Sequence, residues 1–182
     1  MKKLFIACAL VACAAYTHAA SFDWKTAARG GTIQGPGTDS ALAVGTAYLF
    51  TASSAQSVFD SWKKGKTLDS LTSLDSNSIS AGKIGSKAPF DYSDSSTLEA
   101  IFAVTVTIKG VDYLYISSKA SGTSQDVGSA TIQFKETATS SEAFKLASNG
   151  YQGAGWYAIP EPTSGLMILL GLAGLALRRK QA

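Results

Sequence analysis

The stretch EAIFAVTVTIKGVDYLYIS, residues 99–117, decides the fold class. Phe102, Val104, Val106 and Ile108 alternate with Ala103, Thr105 and Thr107, the two-residue period of a strand with one apolar face. After Gly110 the alternation resumes, with Tyr113 and Tyr115 opposite Leu114 and Ile116. Gly110-Val111 fits a two-residue connection with glycine first, and Lys109 and Asp112 then flank it as an opposite-charge pair. Two strands joined this tightly are antiparallel neighbours.

Working outward, residues 130–136 repeat the pattern, with Ala130, Ile132 and Phe134 facing one way and Thr131, Gln133 and Lys135 the other. Residues 45–52, around Tyr48-Leu49-Phe50, and residues 156–159 are further strand candidates. Three helical pieces interrupt them. Ser54 caps a helix with an apolar stripe of Val58, Phe59 and Trp62. Thr67 caps a short turn bearing Leu68, Leu71 and Leu74. Thr139-Ser140-Ser141-Glu142 has the capping-box spacing and opens a helix with Phe144 and Ala147 inward, ending near Asn149-Gly150. Glycine-rich residues 29–37 and 119–128 read as loops. The expectation is a mainly β fold: an antiparallel sheet or sandwich with two or three short helical insertions over residues 20–158.

Both ends of the chain read differently from this middle. Lys2 and Lys3 precede the apolar run Leu4–Ala15 and the small residues Thr17, Ala19 and Ala20. That order predicts a secretory signal peptide over residues 1–19, cut after Ala19 by signal peptidase. Leu10-Val11-Ala12-Cys13 also has the form of a lipobox, which would place a lipid on Cys13. At the other end, Pro160-Glu161-Pro162 precedes the apolar residues Gly165–Leu177 and the cluster Arg178-Arg179-Lys180. As a helix, those thirteen residues rise about 20 Å against a hydrocarbon core of about 30 Å, a marginal span suited to transient insertion. The terminal cations hold such a helix with its C-terminus cytoplasmic.

The order Pro-Glu-Pro, short apolar stretch, terminal arginines resembles the PEP-CTERM sorting signal, with Pro160, Glu161 and Pro162 in the motif and Arg178 and Arg179 as the stop-transfer charge. The resemblance covers residues 159–182. It implies an exosortase-type membrane peptidase as partner, with cleavage near the motif. It also implies an exopolysaccharide-producing bacterial host and a destination at the cell envelope, the outer surface or the medium. It implies nothing about what residues 20–158 do.

Charge and composition narrow the function classes. The formal +3 is set by the ends: without Lys2, Lys3, Arg178, Arg179 and Lys180, 11 of 16 cations remain, against 12 of 13 acids once Glu161 is set aside. A nearly neutral middle with no basic run gives no support to nucleic-acid binding. Cys8, Cys13 and His18 all fall in the leader, so residues 20–158 hold no disulfide, zinc-thiolate site, cysteine nucleophile or histidine triad of their own.

Serine and threonine make up 37 of the 139 residues from 20 to 158, so chance Ser-x-x-Lys matches are expected. Ser61-Trp62-Lys63-Lys64 and Ser80-Ala81-Gly82-Lys83 are two of them, and no Lys-Thr-Gly accompanies them. Gly65-Lys66-Thr67 lacks the earlier glycine of a phosphate loop. Asp91, Asp94 and Asp126 lack calcium-loop spacing; a small carboxylate-based hydrolase is the remaining alternative, needing two carboxyls about 5–10 Å apart in a cleft, though no local pattern selects the pair. No cofactor is expected. The aromatic residues are the suggestive remainder: Tyr113 and Tyr115 share a strand face and, with a tryptophan, could stack on the sugar rings of a matrix polysaccharide. The hydroxyl content also leaves room for O-glycosylation.

Overall fold

The structure, a computed structural model, describes residues 19–28, 31–38, 40–125, 128–135 and 144–159. Their strands are β1 (Ala20–Thr26), β2 (Val44–Thr51), β3 (Asp75–Ser80), β4 (Lys83–Ile84), β5 (Phe90–Tyr92) and β6 (Thr97–Ile108). These are followed by β7 (Val111–Ile116), β8 (Ala120–Thr123), β9 (Ser129–Phe134), β10 (Lys145–Leu146) and β11 (Gly155–Ile159). One α-helix, α1 (Ala55–Gly65), lies between β2 and β3. The large sheet runs β10-β11-β7-β6-β2-β3-β4, with β8 also paired to β6, and a small sheet runs β5-β1-β9.

The large sheet is buried on both faces at its centre. Phe102, Val104, Leu49, Tyr115 and Trp156 meet Phe22, Trp24, Ile132 and Phe134 of the small sheet. On the opposite face Ile101, Ala103, Leu114, Ile116 and Tyr157 pack under Val58, Phe59 and Trp62 of α1. The apolar stripe of α1 is therefore as expected. A mainly β fold is as expected too, but its pairing is not wholly antiparallel. β1 runs parallel to β9, and β10 runs parallel to β11. Parallel neighbours need a long crossover, and most of the large sheet lies between β1 and β9 in the chain.

The 99–117 hairpin forms, with its turn one residue earlier than expected. Ile108 pairs with Val111, so Lys109 and Gly110 are the central residues, at φ 52° and 80°. Positive φ at both positions defines a type I′ turn, whose twist suits a hairpin. Glycine serves the second position, and β-branched Val111 stays in the ladder. Lys109 does not pair with Asp112. The Asp112 carboxylate takes Lys66 Nζ at 3.0 Å and Thr107 Oγ1, its cross-strand neighbour, at 2.7 Å.

Past Ile116 the ladder slips by one. Ala103 pairs with Ile116 and Ala100 with Ala120, so two residues of β6 face three, Ser117, Ser118 and Lys119. This is a β-bulge. The slip would strand the Phe102 amide in the core, but Ser117 Oγ accepts its hydrogen at 2.9 Å. Beyond the bulge β8 swings over to lie against β9. A Cβ on Gly122 would come within 3.0 Å of Ile132 Cγ1, so glycine permits that approach. At the opposite edge Thr26 Oγ1 of β1 accepts the Ile84 amide of β4 at 3.1 Å. The small sheet thus spans the two sides of the curved large one.

Two helical expectations are corrected. Thr67 opens a single turn, closed by the Leu71 amide on Leu68 O at 3.0 Å. Leu68 and Leu71 pack on the α1 side and Leu74 on the other, so the three form no common stripe. The capping box 139–142 lies outside the described residues. After it come β10 and a 3-10 turn, Ala147–Asn149, rather than an α-helix. Ala147 is buried, while Phe144 is 42% exposed instead of inward. Ser54 stands at the N-cap of α1 without capping it; its hydroxyl bonds Thr51 Oγ1 at 2.7 Å.

Candidate functional site: the end of the sheet where the tail leaves

The tail leaves the described fold through β11, so the candidate site is built around that strand. The loop before it, Gly150-Tyr151-Gln152-Gly153-Ala154, and Gly155, the first residue of β11, have positive φ at all three glycines, which lets the chain curl tightly. Lys145 of β10 reaches into the curl and donates to the carbonyls of Gln152, at 3.0 Å, and Ala154. Its ammonium also sits 5.5 Å from the Tyr157 ring centre. The Tyr157 hydroxyl donates to Gly153 O and accepts the Gln152 amide at 2.8 Å. Burial pushes the Tyr157 and Tyr151 hydroxyls above their usual titration range; the Gln152 bond opposes this at Tyr157 and the nearby Tyr151 adds to it. β11 is thus anchored by its loop, by β10 and, through Tyr157, by Phe59 of α1 at 4.9 Å.

β11 pairs antiparallel with β7 and ends with Ile159 opposite Asp112. Asp112 in turn faces Thr107, two residues short of the Lys109-Gly110 turn. The C-terminus of α1 arrives at the same place. Lys66 ends the helix in the left-handed conformation, φ 61°, with its amide on Trp62 O, and its ammonium pairs with Asp112. The Thr107 hydrogen bond lowers the Asp112 carboxyl below its ordinary value; desolvation opposes it, and the hydrogen bond and charge of Lys66 add to the lowering. Lys63 and Lys64 are exposed in the last turn of α1, and Lys109 is exposed at the hairpin tip. Chain exit, hairpin tip and helix end therefore share one end of the sheet, and it is rich in lysine.

The other sequence candidates fall elsewhere. Ala19 is exposed immediately before β1. Tyr115 is 3% exposed, between Phe102 and Trp156 with ring centres 5.6 and 5.2 Å away. Tyr113 is half-buried, edge-on to Phe144 and Trp156. Trp24, Trp62 and Trp156 are buried as well. Tyr115 and the three tryptophans therefore belong to the core, while Tyr113 keeps part of its ring exposed beside Phe144; alternation reports a buried face equally well, so the sequence could not separate the two. Ser80 and Lys83 flank the β3–β4 turn, where Lys83 Nζ is bonded to Ala27 O and Ala28 O at 3.2 Å. Ser61 and Lys64 sit on α1, with Trp62 in the core between them. Among the described residues no three His, Cys, Asp or Glu side chains are grouped to hold a metal ion.

One groove was not foreseen from sequence. Beside the bulge, Ser118, Ser121, Thr131, Gln133 and Lys135 line an open space of about 510 Å³ between β8 and β9. Its walls are polar because outward-facing strand positions here are hydroxyl and amide residues. Its existence depends on the one-residue slip, which no local pattern announces.

Pro160, Glu161, Pro162, Arg178, Arg179 and the apolar stretch between them lie outside the described residues. Among the described residues no helix is long and apolar enough to cross a membrane. Neither curated proteins nor solved structures yield a match to the chain. The family model described as the PEP-CTERM protein-sorting motif matches residues 158–180, beginning inside β11, so the tail of this chain is a PEP-CTERM protein-sorting motif.

Proposed function

We infer that this is an exported, non-enzymatic protein of the bacterial envelope or extracellular matrix. A signal peptide directs it outward, and an exosortase-type membrane peptidase handles its tail. The observation that carries the reading is the sorting motif at 158–180, continuous with the anchored strand β11. Two features support it. β1 begins at Ala20, the residue after the expected signal-peptide cut. The motif's Pro-Glu-Pro follows the last core strand directly, so a cut there leaves every described strand on the released domain. Residues 165–177 serve as a transient membrane segment. The test is intact mass and terminal sequencing of the native protein from envelope and medium. Loss of residues 1–19 and of everything after about Pro162 supports the reading. A mass that retains Arg178, Arg179 and Lys180 in both fractions overturns the processing step.

A second reading, a carbohydrate-binding module for matrix polysaccharide, is favoured by the groove beside the bulge rather than by Tyr113 and Tyr115. Its hydroxyl, amide and ammonium groups match the hydrogen-bonding needs of sugar hydroxyls. A glycan-array screen of the unchanged chain and a Gln133→Ala variant tests it. Binding lost in the variant supports the module, and no binding by the unchanged chain removes it.

A further inference from the structure

We propose that the lysine-rich end of the sheet, formed by Lys63, Lys64 and Lys109, docks on the anionic lipid surface that the tail enters. The inference rests on the reading above in one respect, that residues 165–177 enter the membrane.

Geometry sets how close the face comes. The described fold ends at Ile159, and five residues, 160–164, separate it from the apolar stretch. Fully extended they span at most about 17 Å. Ile159 is level with Asp112, and the hairpin runs on past that level through Val111 to the Lys109-Gly110 turn. At about 3.3 Å per residue the tip projects roughly 7–10 Å beyond the exit point. With the tail inserted, that leaves the tip within about 10 Å of the headgroups, comparable to the screening length at physiological salt. A domain held on so short a tether cannot keep this end away from the surface.

Charge sets the partner. Lys66 is balanced by Asp112. Asp69, three residues on, is held by Thr67 at 2.7 Å and by Tyr48 at 3.5 Å; Tyr48 sits opposite Ala103, well back from the tip. Asp60 lies further back on α1, bonded to Gln56 at 3.0 Å. Lys64, Lys109 and Lys63, whose ammonium also lies 5.9 Å from the Phe59 ring centre, are thus the cations at this end without an ion pair among the described residues, and Glu161 is the one acid in the tether. Juxtamembrane lysines are drawn to anionic leaflets. Docking would fix the domain's orientation and set where the Pro-Glu-Pro segment stands relative to the membrane.

The experiment compares the full chain with a Lys63→Gln, Lys64→Gln, Lys109→Gln variant. Lys66 is left intact because it holds Asp112. Binding is measured by flotation with vesicles of one part phosphatidylglycerol to two parts phosphatidylcholine, and with phosphatidylcholine alone, at low and high salt. The unchanged chain should prefer the anionic vesicles at low salt. The variant should lose roughly a hundredfold of that binding, at about fivefold per lysine, with no change on phosphatidylcholine. A Lys119→Gln, Lys135→Gln variant, altered away from this end, should bind as the unchanged chain does. If the triple variant keeps its anionic binding, or the control variant loses as much, the docking face is refuted. Absence of binding to phosphatidylcholine by the unchanged chain would instead count against tail insertion, and the anionic arm would still read the lysines. Circular dichroism of each variant checks that the sheet is retained.

Discussion

Ser117→Ala is the most informative single change in the sandwich. Ser117 is 4% exposed and sits at the bulge where the β6 ladder passes from β7 to β8. Its Oγ accepts the Phe102 amide at 2.9 Å and donates to Ser118 O at 2.9 Å. Alanine keeps the backbone bond from the Ser117 amide to Phe102 O, also 2.9 Å, but leaves the Phe102 N–H facing a methyl group. Phe102 is completely buried, so water cannot replace the lost acceptor without opening the core. An orphaned buried donor costs about 1–3 kcal/mol, and Ser118 O loses a partner as well. Against a total of about 5–15 kcal/mol for a domain, a loss near 2 kcal/mol is large. Urea unfolding followed by far-ultraviolet circular dichroism should show a lower midpoint with an unchanged slope. Amide exchange should quicken most at Phe102 and along β8. Thr97→Ala, which removes an exposed hydroxyl pair to Thr123 at 3.1 Å on the same two strands, is the control and should cost under about 0.5 kcal/mol. If Ser117→Ala costs no more than that control, the hydroxyl is not what closes the bulge.

Trp24→Phe and Trp62→Phe remove the same atoms from two fully buried rings, but only Trp24 Nε1 has an acceptor among the described residues, Asp75 Oδ2 at 2.8 Å. Trp24→Phe should therefore cost at least about 2 kcal/mol more than Trp62→Phe in paired urea titrations. Ala81, exposed and at φ 48° ahead of Gly82 in the β3–β4 turn, should gain about 0.5–1 kcal/mol on change to Asn, read as a higher Tm. Gly82→Ala should lose well over 1 kcal/mol in the same assay, since its Cβ would lie 2.7 Å from Ile33 O at φ +72°. The folded-state pKa of Asp112 lies below the usual 3.8, so its contribution to stability is complete above that value and fades as pH falls through the depressed one. Asp112→Asn should lower stability at neutral and alkaline pH and flatten the acid limb of the stability–pH curve, so that the two proteins converge in acid.

What was legible in the sequence follows from the range of each interaction. Strands β6 and β7 alternate over many residues, and a two-residue turn leaves them no choice but to pair, so the hairpin could be read directly. Its turn was misplaced by one residue because pattern alone does not say that Lys109 accepts positive φ. β3, DSNSIS, buries only Ile79 and gave no apolar signal; it is a strand because β2 offers it a backbone ladder from Val44 to Leu49. β1 alternates Phe22 and Trp24 with polar residues, yet its parallel partner β9 follows more than a hundred residues later. The tyrosines were the ambiguous case, since a strand face of aromatic residues looks the same whether solvent or a second sheet covers it.

By itself the sequence determined the sorting motif of the tail and the mainly β class of the fold. The Pro-Glu-Pro tail and the strand period are linear signals, read by position along the chain, and they needed no contact to be recognised. Tertiary structure decided the rest. It set that both faces of β7 are covered, where the ladder slips beside a groove, and that the end of α1 and the hairpin tip lie at the end of the sheet where the tail leaves. Helix end and hairpin tip are more than forty residues apart in the chain. They share one end because α1 packs on the sheet through Val58, Phe59 and Trp62, which brings Lys66 at its end to Asp112 of β7, the strand beside β11.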